Sequence, residues 1–333
     1  MSFSTTAVRS VAVPGLLLLL ALAAALSLTI GAKSLPIGTV FTAFSGTCQS
    51  ADCTIVLDAR LPRTLAGLLA GVALGLAGAL MQTLTRNPLA DPGIIGISSG
   101  ASLVAVLVTA FFPALFLFTP VFAFAGGMAA FLIVYGLSWR GGLSPLRIIL
   151  VGVAVSAMFT GIMSAFDSGT GSTMSGVASL VDANITMKTW DDLWTLASYA
   201  AVGLLLALFT AKRCDLLALE DKTARSLGVD VNKNRLAISA IAVLLASIST
   251  AVIGPISFLG LIVPHIARLL VGTAHRVLIP YSIVLGAFCL LLADTIGRTV
   301  AAPYEISAAV IMSIVGGPVF ILLLRKARNN YGE

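Results

Sequence analysis

RLPRTLAGLLAGVALGLAGALMQTLTRNPLADPG, residues 60–93, decides how this chain folds. Two arginines three apart open it, Arg60 and Arg63. An uncharged, mostly apolar run follows, and an Arg86-Asn87-Pro88 turn closes it. A helix rises about 1.5 Å per residue, so roughly 20 apolar residues cross a hydrocarbon core of ~30 Å. The stretch therefore predicts one membrane span with charged anchors on opposite faces. Gly67, Gly71, Gly75 and Gly78 fall on one side of that helix. Small residues at this spacing let helix backbones approach closely in lipid, so the face is read as a packing face within a bundle.

The rest of the chain repeats the pattern. Of 333 residues, 58% are hydrophobic and only 10% charged, whereas a soluble domain carries roughly 25% charged residues. Hydropathy predicts an all-α membrane protein with ten helices in one domain: 11–31, 60–82, 93–111, 117–138, 148–166, 193–211, 236–254, 256–272, 277–297 and 304–324. The first run is too long for a signal-peptide core and is read as a retained helix. The net charge of +6 does not call for nucleic acid, because Lys and Arg accumulate on the cytoplasmic side of membrane proteins. Placing both termini in the cytoplasm leaves only five of the 20 basic residues outside: Lys33, Arg60, Arg63, Lys188 and Arg298.

Several chemistries are excluded. There is no GxxxxGK[ST] loop for a nucleotide and no HExxH or CxxC array for a metal. His265 and His275 are the only histidines, and both are read as structural. Cys48 and Cys53 lie in the outside loop 32–59, where a local disulfide can form; two unpaired thiols are the alternative. Cys214 and Cys289 read as isolated thiols. The spans are nearly free of ionisable groups, which disfavours an ion-coupled secondary transporter. Asp294 is the nearest candidate, and Arg298 one turn on makes it a local i,i+4 pair. A pore of this kind draws its energy from elsewhere. The inside loop 212–235 offers the place: residues 219–236 read as a short amphipathic helix, a break at Gly228 and a basic exit, suited to docking a cytoplasmic partner or to anchoring topology.

These residues resemble the FecCD-type permease subunits of ATP-binding-cassette importers for iron-siderophores and cobalamin. The likeness covers nearly the whole chain. Its marks are Arg60-Leu61-Pro62-Arg63, Gln82 with Arg86-Asn87-Pro88-Leu89-Ala90-Asp91-Pro92, Gly254-Pro255-Ile256, Gly260-Leu261, Pro264-His265 with Arg268, Ala293-Asp294 with Arg298, and Gly317-Pro318-Val319-Phe320. Residues 14–93 are most similar to members that import ferric enterobactin.

The resemblance implies a type II importer permease in the bacterial inner membrane. It implies a second permease subunit, the same or homologous, two cytoplasmic ATPase subunits that hold ATP and Mg, and a periplasmic siderophore-binding protein. The chain itself would be no enzyme and hold no cofactor or metal. The implied cargo is a ferric siderophore, with a catecholate such as enterobactin first; cobalamin, haem or another siderophore is the alternative within the family. Arg60, Arg63 and Arg298 match the arginines that receive the binding protein's carboxylates. Glu220, Asp221, Lys222, Ala224, Arg225 and Gly228 match the segment that couples to the ATPase, although Lys222 and Thr223 stand where Glu and Ala are common. Asn87, Pro88 and Leu89 match the inner gate. Residues 175–180 (SGVASL) depart from the family's Trp-x-x-Gly-Ser-Leu.

Overall fold

The computed structural model describes residues 5–31, 33–46, 50–138, 145–170 and 185–331. Within them every regular element is helical. In chain order these are α1 (Thr5–Thr29), α2 (Ile37–Phe44), α3 (Ala51–Thr54) running on through a π-helical segment (Ile55–Arg60), α4 (Leu61–Thr85), α5 (Ile97–Phe111), a 3-10 segment (Pro113–Phe118), α6 (Thr119–Ser138), α7 (Pro145–Thr170), α8 (Trp190–Leu208), α9 (Ala211–Leu217), α10 (Asp221–Ser226), α11 (Val231–Ile253), α12 (Leu259–Val271), α13 (His275–Val300) and α14 (Ala308–Tyr331).

Seven helical stretches among the described residues are long and apolar enough to cross a membrane: Val11–Thr29, Ala51–Thr85, Pro113–Ser138, Leu146–Phe166, Trp190–Leu208, Val231–Ile253 and His275–Val300. Three shorter apolar helices, Ile97–Phe111, Leu259–Val271 and Ala308–Leu323, fall on the remaining expected spans. Among the described residues, seven of the ten expected spans are thus long and apolar enough to cross. For α12 the reason is local. The 13 residues of α12 give about 20 Å of helix. Gly254, at φ +82°, ends α11, and Phe258, at φ +67°, precedes α12. Non-helical backbone survives at membrane depth only when protein covers it, and here Gly254 and Ile256 are buried.

The helix carrying the opening stretch begins at Ala51 rather than at residue 60. The stretch 32–59, expected as an outside loop, is therefore largely helical among its described residues. Leu35, Val40, Ala43, Cys53 and Val56 close a small apolar core of their own there, which turns α2 and α3 against each other.

α4 is the axis of the bundle. It packs against α13, α11, α12 and α8, and 78% of its apolar window is buried, against 22% for α1 and for α7. Leu17, Leu18 and Leu22 on α1 and Leu146, Leu150 and Val153 on α7 face outward, as lipid-facing side chains do. The glycine face explains the central position. A Cβ at Gly71 would lie 2.4 Å from the Gly286 carbonyl oxygen of α13, and one at Gly78 would lie 2.0 Å from that of Gly260 on α12. At Gly75 it would come within 2.9 Å of the Ser282 carbonyl oxygen. Gly67 is different: a Cβ there meets nothing within 4 Å. The close contact with α13 starts one turn later, so the packing role expected of Gly67 belongs to Gly71, Gly75 and Gly78.

Candidate functional site

Polar side chains gather at the two ends of α4. At the first end, Arg63 is buried against α13. Its Nη2 donates to Asp294 Oδ1 at 2.8 Å and its Nε lies 3.2 Å from both carboxylate oxygens. Its Nη1 donates to Glu305 Oε2 at 2.8 Å. Asp294 is shared, since its Oδ2 is 3.4 Å from Arg298 Nε. Arg298 turns its Nη2 to the carbonyl oxygen and hydroxyl of Ser27, at 3.1 and 2.6 Å. Arg60 donates to the carbonyl oxygens of Leu28, at 2.8 Å, and Lys33. The last carbonyls of a helix have no partner within it. Arg60 and Arg298 supply donors to those of α1, where cations also suit the helix dipole.

The three arginines expected to face outward are thus only 7%, 8% and 3% exposed for Arg60, Arg63 and Arg298. Three guanidiniums meet two carboxylates, which leaves one positive charge. Glu305 is the open edge of the cluster, its side chain 31% exposed. Burial raises the Glu305 carboxyl, but the Thr186 hydroxyl at 2.7 Å and the Arg63 charge outweigh that and hold it below the usual range. Nothing local in the sequence marks Glu305 or Ser27; both are brought in by α14's approach and α1's end.

At the other end, α4 stops in a Schellman turn. Asn87 N–H donates to the Gln82 carbonyl at 3.1 Å and Arg86 N–H to that of Thr83 at 3.2 Å. Arg86 takes the left-handed conformation, at φ +48°, which strains a side chain by roughly 1–2 kcal/mol. Its guanidinium offsets this: Nε donates to the Leu217 carbonyl at 3.0 Å and Nη2 to Asp221 Oδ1 at 2.5 Å. Asn87 Oδ1 then accepts the Leu89 N–H at 3.0 Å, and Ala90 N–H closes on the Asn87 carbonyl at 3.1 Å. The Asn87 side chain is occupied in building the turn, Pro88 is exposed and Leu89 packs partly into the core. Asp91 is fully buried. Its Oδ1 accepts the N–H of Gly93 at 2.7 Å and of Ile94 at 3.3 Å. Burial pushes its pKa up to about 6, against the lowering pull of these N–H groups and those of Leu261 and Gly260.

The segment expected to couple starts directly beneath this turn. Asp221 opens α10 and accepts from Arg86 and, at 3.2 Å, from Arg235 Nη2 in the first turns of α11. Ala224 is fully buried, while Glu220, Lys222 and Arg225 are exposed. A second Schellman turn ends α10: Val229 N–H donates to the Ala224 carbonyl at 3.1 Å and Gly228 N–H to that of Arg225 at 2.9 Å, with Gly228 at φ +79°. This left-handed position is where glycine is favoured. The basic exit expected at 229–236 is the first turn of α11, with Asp230 capping it through Lys233 N–H at 3.1 Å.

Further contacts tie the same end together. His275 Nδ1 is 2.7 Å from Asp215 Oδ1, and its Nε2 is 2.6 Å from Thr83 Oγ1. This line resembles a nucleophile, base and acid. However, the Thr83 hydroxyl bonds to the Ala79 carbonyl of its own helix at 2.9 Å, and the line joins α4, α9 and α13. Arg268 donates to Gln82 Oε1, and Gln82 Nε2 holds the Gly260 and Leu261 carbonyls at 3.2 Å. Cys53 is disulfide-bonded; Cys48, its expected partner, and residues 175–180 lie outside the described residues. Cys214 and Cys289 are free.

A bundle of apolar helices with its ion pairs at the two ends, and a charged short helix latched to one of them, fits a membrane permease. The chain belongs to the FecCD transport family, whose model matches residues 18–326. It is 48% identical, over 98% of both chains, to the ferric enterobactin transport system permease protein FepD of Escherichia coli K12. It is 39% identical, over 95% of both chains, to a Staphylococcus aureus protein assigned as the heme-iron transport system permease IsdF. Among solved structures it superposes with a TM-score of 0.77 and 28% identity, covering 94% of this chain and 97% of the other, on an inward-facing transporter assigned to the metal-chelate ABC type. The chain is a transport subunit of that class and not an enzyme.

Proposed function

We propose that this chain is the permease through which a ferric siderophore, in the first place ferric enterobactin or another catecholate, crosses the bacterial inner membrane from periplasm to cytoplasm. The observation that carries the cargo is the 48% identity to FepD across 98% of both chains. The relation to IsdF keeps haem as the competing cargo. In this reading the chain crosses the membrane ten times with both termini cytoplasmic, a reading that the seven long apolar helices support for seven of the crossings. The chain acts beside a second permease subunit, the same or homologous, with a periplasmic binding protein outside and two ATPase subunits inside that bind ATP and Mg.

The geometry supports a role for each end. At the Arg63 end, a carboxylate of the binding protein competes with Glu305 for Arg63 Nη1, at the one exposed edge of a cluster with an excess positive charge. At the Arg86 end, the exposed Glu220, Lys222 and Arg225 meet the ATPase. The Arg86–Asp221–Arg235 contacts then pass its motion to the gate turn at Asn87–Leu89. Deletion of the gene, with growth on ferric enterobactin or haem as sole iron source, tests the cargo. Growth lost on ferric enterobactin and kept on haem is expected; normal growth on ferric enterobactin overturns the assignment.

A further inference from the structure

Near their Arg86 ends, α6 and α11 are split by a crevice of about 350 Å³, walled by Phe131, Leu132, Tyr135 and Leu236 with Arg235 and Ser239. That volume lies within the range of ligand pockets, roughly 300–1,000 Å³. Phe131, Tyr135, Arg235 and Ser239 also line a small pocket that continues inward to Met81 and Leu84 of α4. Leu132 and Leu236, 50% and 59% exposed, flank the mouth. Both sit on helices long and apolar enough to cross the membrane, so the crevice opens where lipid tails pack.

Arg235 gives the crevice a chemical preference. Its side chain is 13% exposed. Its Nη2 donates to Asp221, yet its Nε is buried and has no acceptor. A buried donor without an acceptor costs about 1–3 kcal/mol. Asp221 is already held by Arg86 at 2.5 Å, so two guanidiniums share one carboxylate and the cluster keeps one positive charge. An occupant that matches this site has an apolar chain and an anionic oxygen at one end.

We propose that this crevice binds an anionic phospholipid, with an acyl chain between α6 and α11 and a phosphate oxygen accepting from the Arg235 guanidinium where it lines the crevice. Basic pockets between membrane helices near the headgroup level take lipid headgroups in this way. The same guanidinium holds Asp221, so headgroup and coupling segment share one side chain. Leu132→Trp places a reporter at the mouth. The full-length chain carrying it is titrated with brominated phosphatidylglycerol and brominated phosphatidylcholine, and the quenching added over the parent chain is read. Phosphatidylglycerol should be favoured about fivefold, the scale of one basic side chain near an anionic surface. The preference should fall to near unity in Arg235→Gln and persist in Arg235→Lys. Equal quenching by the two lipids, or a preference that survives Arg235→Gln, overturns the proposal. Loss of the preference in millimolar inorganic phosphate also overturns it, in favour of a free-anion site. The readout is lipid contact alone and is independent of cargo and partners.

Discussion

Asp221→Ala removes the joint between the proposed coupling segment and the proposed gate turn. Asp221 accepts from Arg86 at 2.5 Å and from Arg235 at 3.2 Å, with side chains 38%, 34% and 13% exposed respectively. Exposed ion pairs of this kind are worth about 0.2–1 kcal/mol each, so the variant loses at most about 2 kcal/mol and stays folded. If the joint carries the motion, those same ~0.4–2 kcal/mol bias the gate turn, a factor of about 2–30 in equilibrium. The ratio of cargo imported to ATP hydrolysed, measured in proteoliposomes with the partner subunits, should fall about two- to thirtyfold while ATP hydrolysis continues. Arg86→Asn keeps a residue tolerant of the left-handed conformation and should give the same loss, and the double variant should be no worse than either single one. An unchanged ratio in Asp221→Ala, or losses that multiply in the double variant, refutes the reasoning. Although burial raises the Asp221 carboxyl, the Arg86 hydrogen bond and the Arg235 charge hold it below the usual range. The joint's stabilisation is therefore present above an aspartate's ordinary pKa of about 3.9 and is lost only as pH falls through the lower folded value.

Asp294→Asn leaves Arg63 and Arg298 short of a shared buried counter-charge, which costs about 3–5 kcal/mol; the melting temperature in detergent should drop far more than for Glu305→Gln, whose side chain is 31% exposed. Gly71→Ala drives a Cβ to 2.4 Å from the Gly286 carbonyl oxygen and should destabilise by about 1–3 kcal/mol, whereas Gly67→Ala, with nothing within 4 Å, should melt at or above the parent; the two are compared by thermal unfolding. Asp91 has a folded pKa of about 6 against an ordinary 3.8. The folded state thus binds the proton more tightly, and stability is fully present below about pH 4 and falls by about 3 kcal/mol as pH rises to about 6. Asp91→Asn should flatten that part of the pH–stability curve, read by chemical unfolding at stepped pH.

Much of this fold is legible in periodicity alone. Residues 60–93 announce a span, its packing face and its closing turn, because apolar length and glycine spacing are local properties. What escapes is long-range or depends on shape. Arg63 meets Asp294 across 231 positions and Arg86 meets Asp221 across 135, and no local pattern pairs them. Arg60, Arg63 and Arg298 stand out as rare cations at span ends, but their burial follows from α1 and α14 closing over them. Residues 37–44 and 51–59 lie in a stretch read as a loop. They are helical because Val40, Ala43, Cys53 and Val56 find one another, a small core that hydropathy counted over span-length windows misses. The short α12 has the converse cause: its window is apolar enough, but Gly254 and Pro255 delay the helix until Leu259.

Reconstitution tests the central claim most directly. The chain, assembled in proteoliposomes with the proposed second permease, ATPase and binding-protein partners, is given radiolabelled ferric enterobactin with and without ATP on the ATPase side. The account predicts import that requires ATP and the binding protein and persists when proton and sodium gradients are collapsed. Import that follows an ion gradient and proceeds without the ATPase would contradict it.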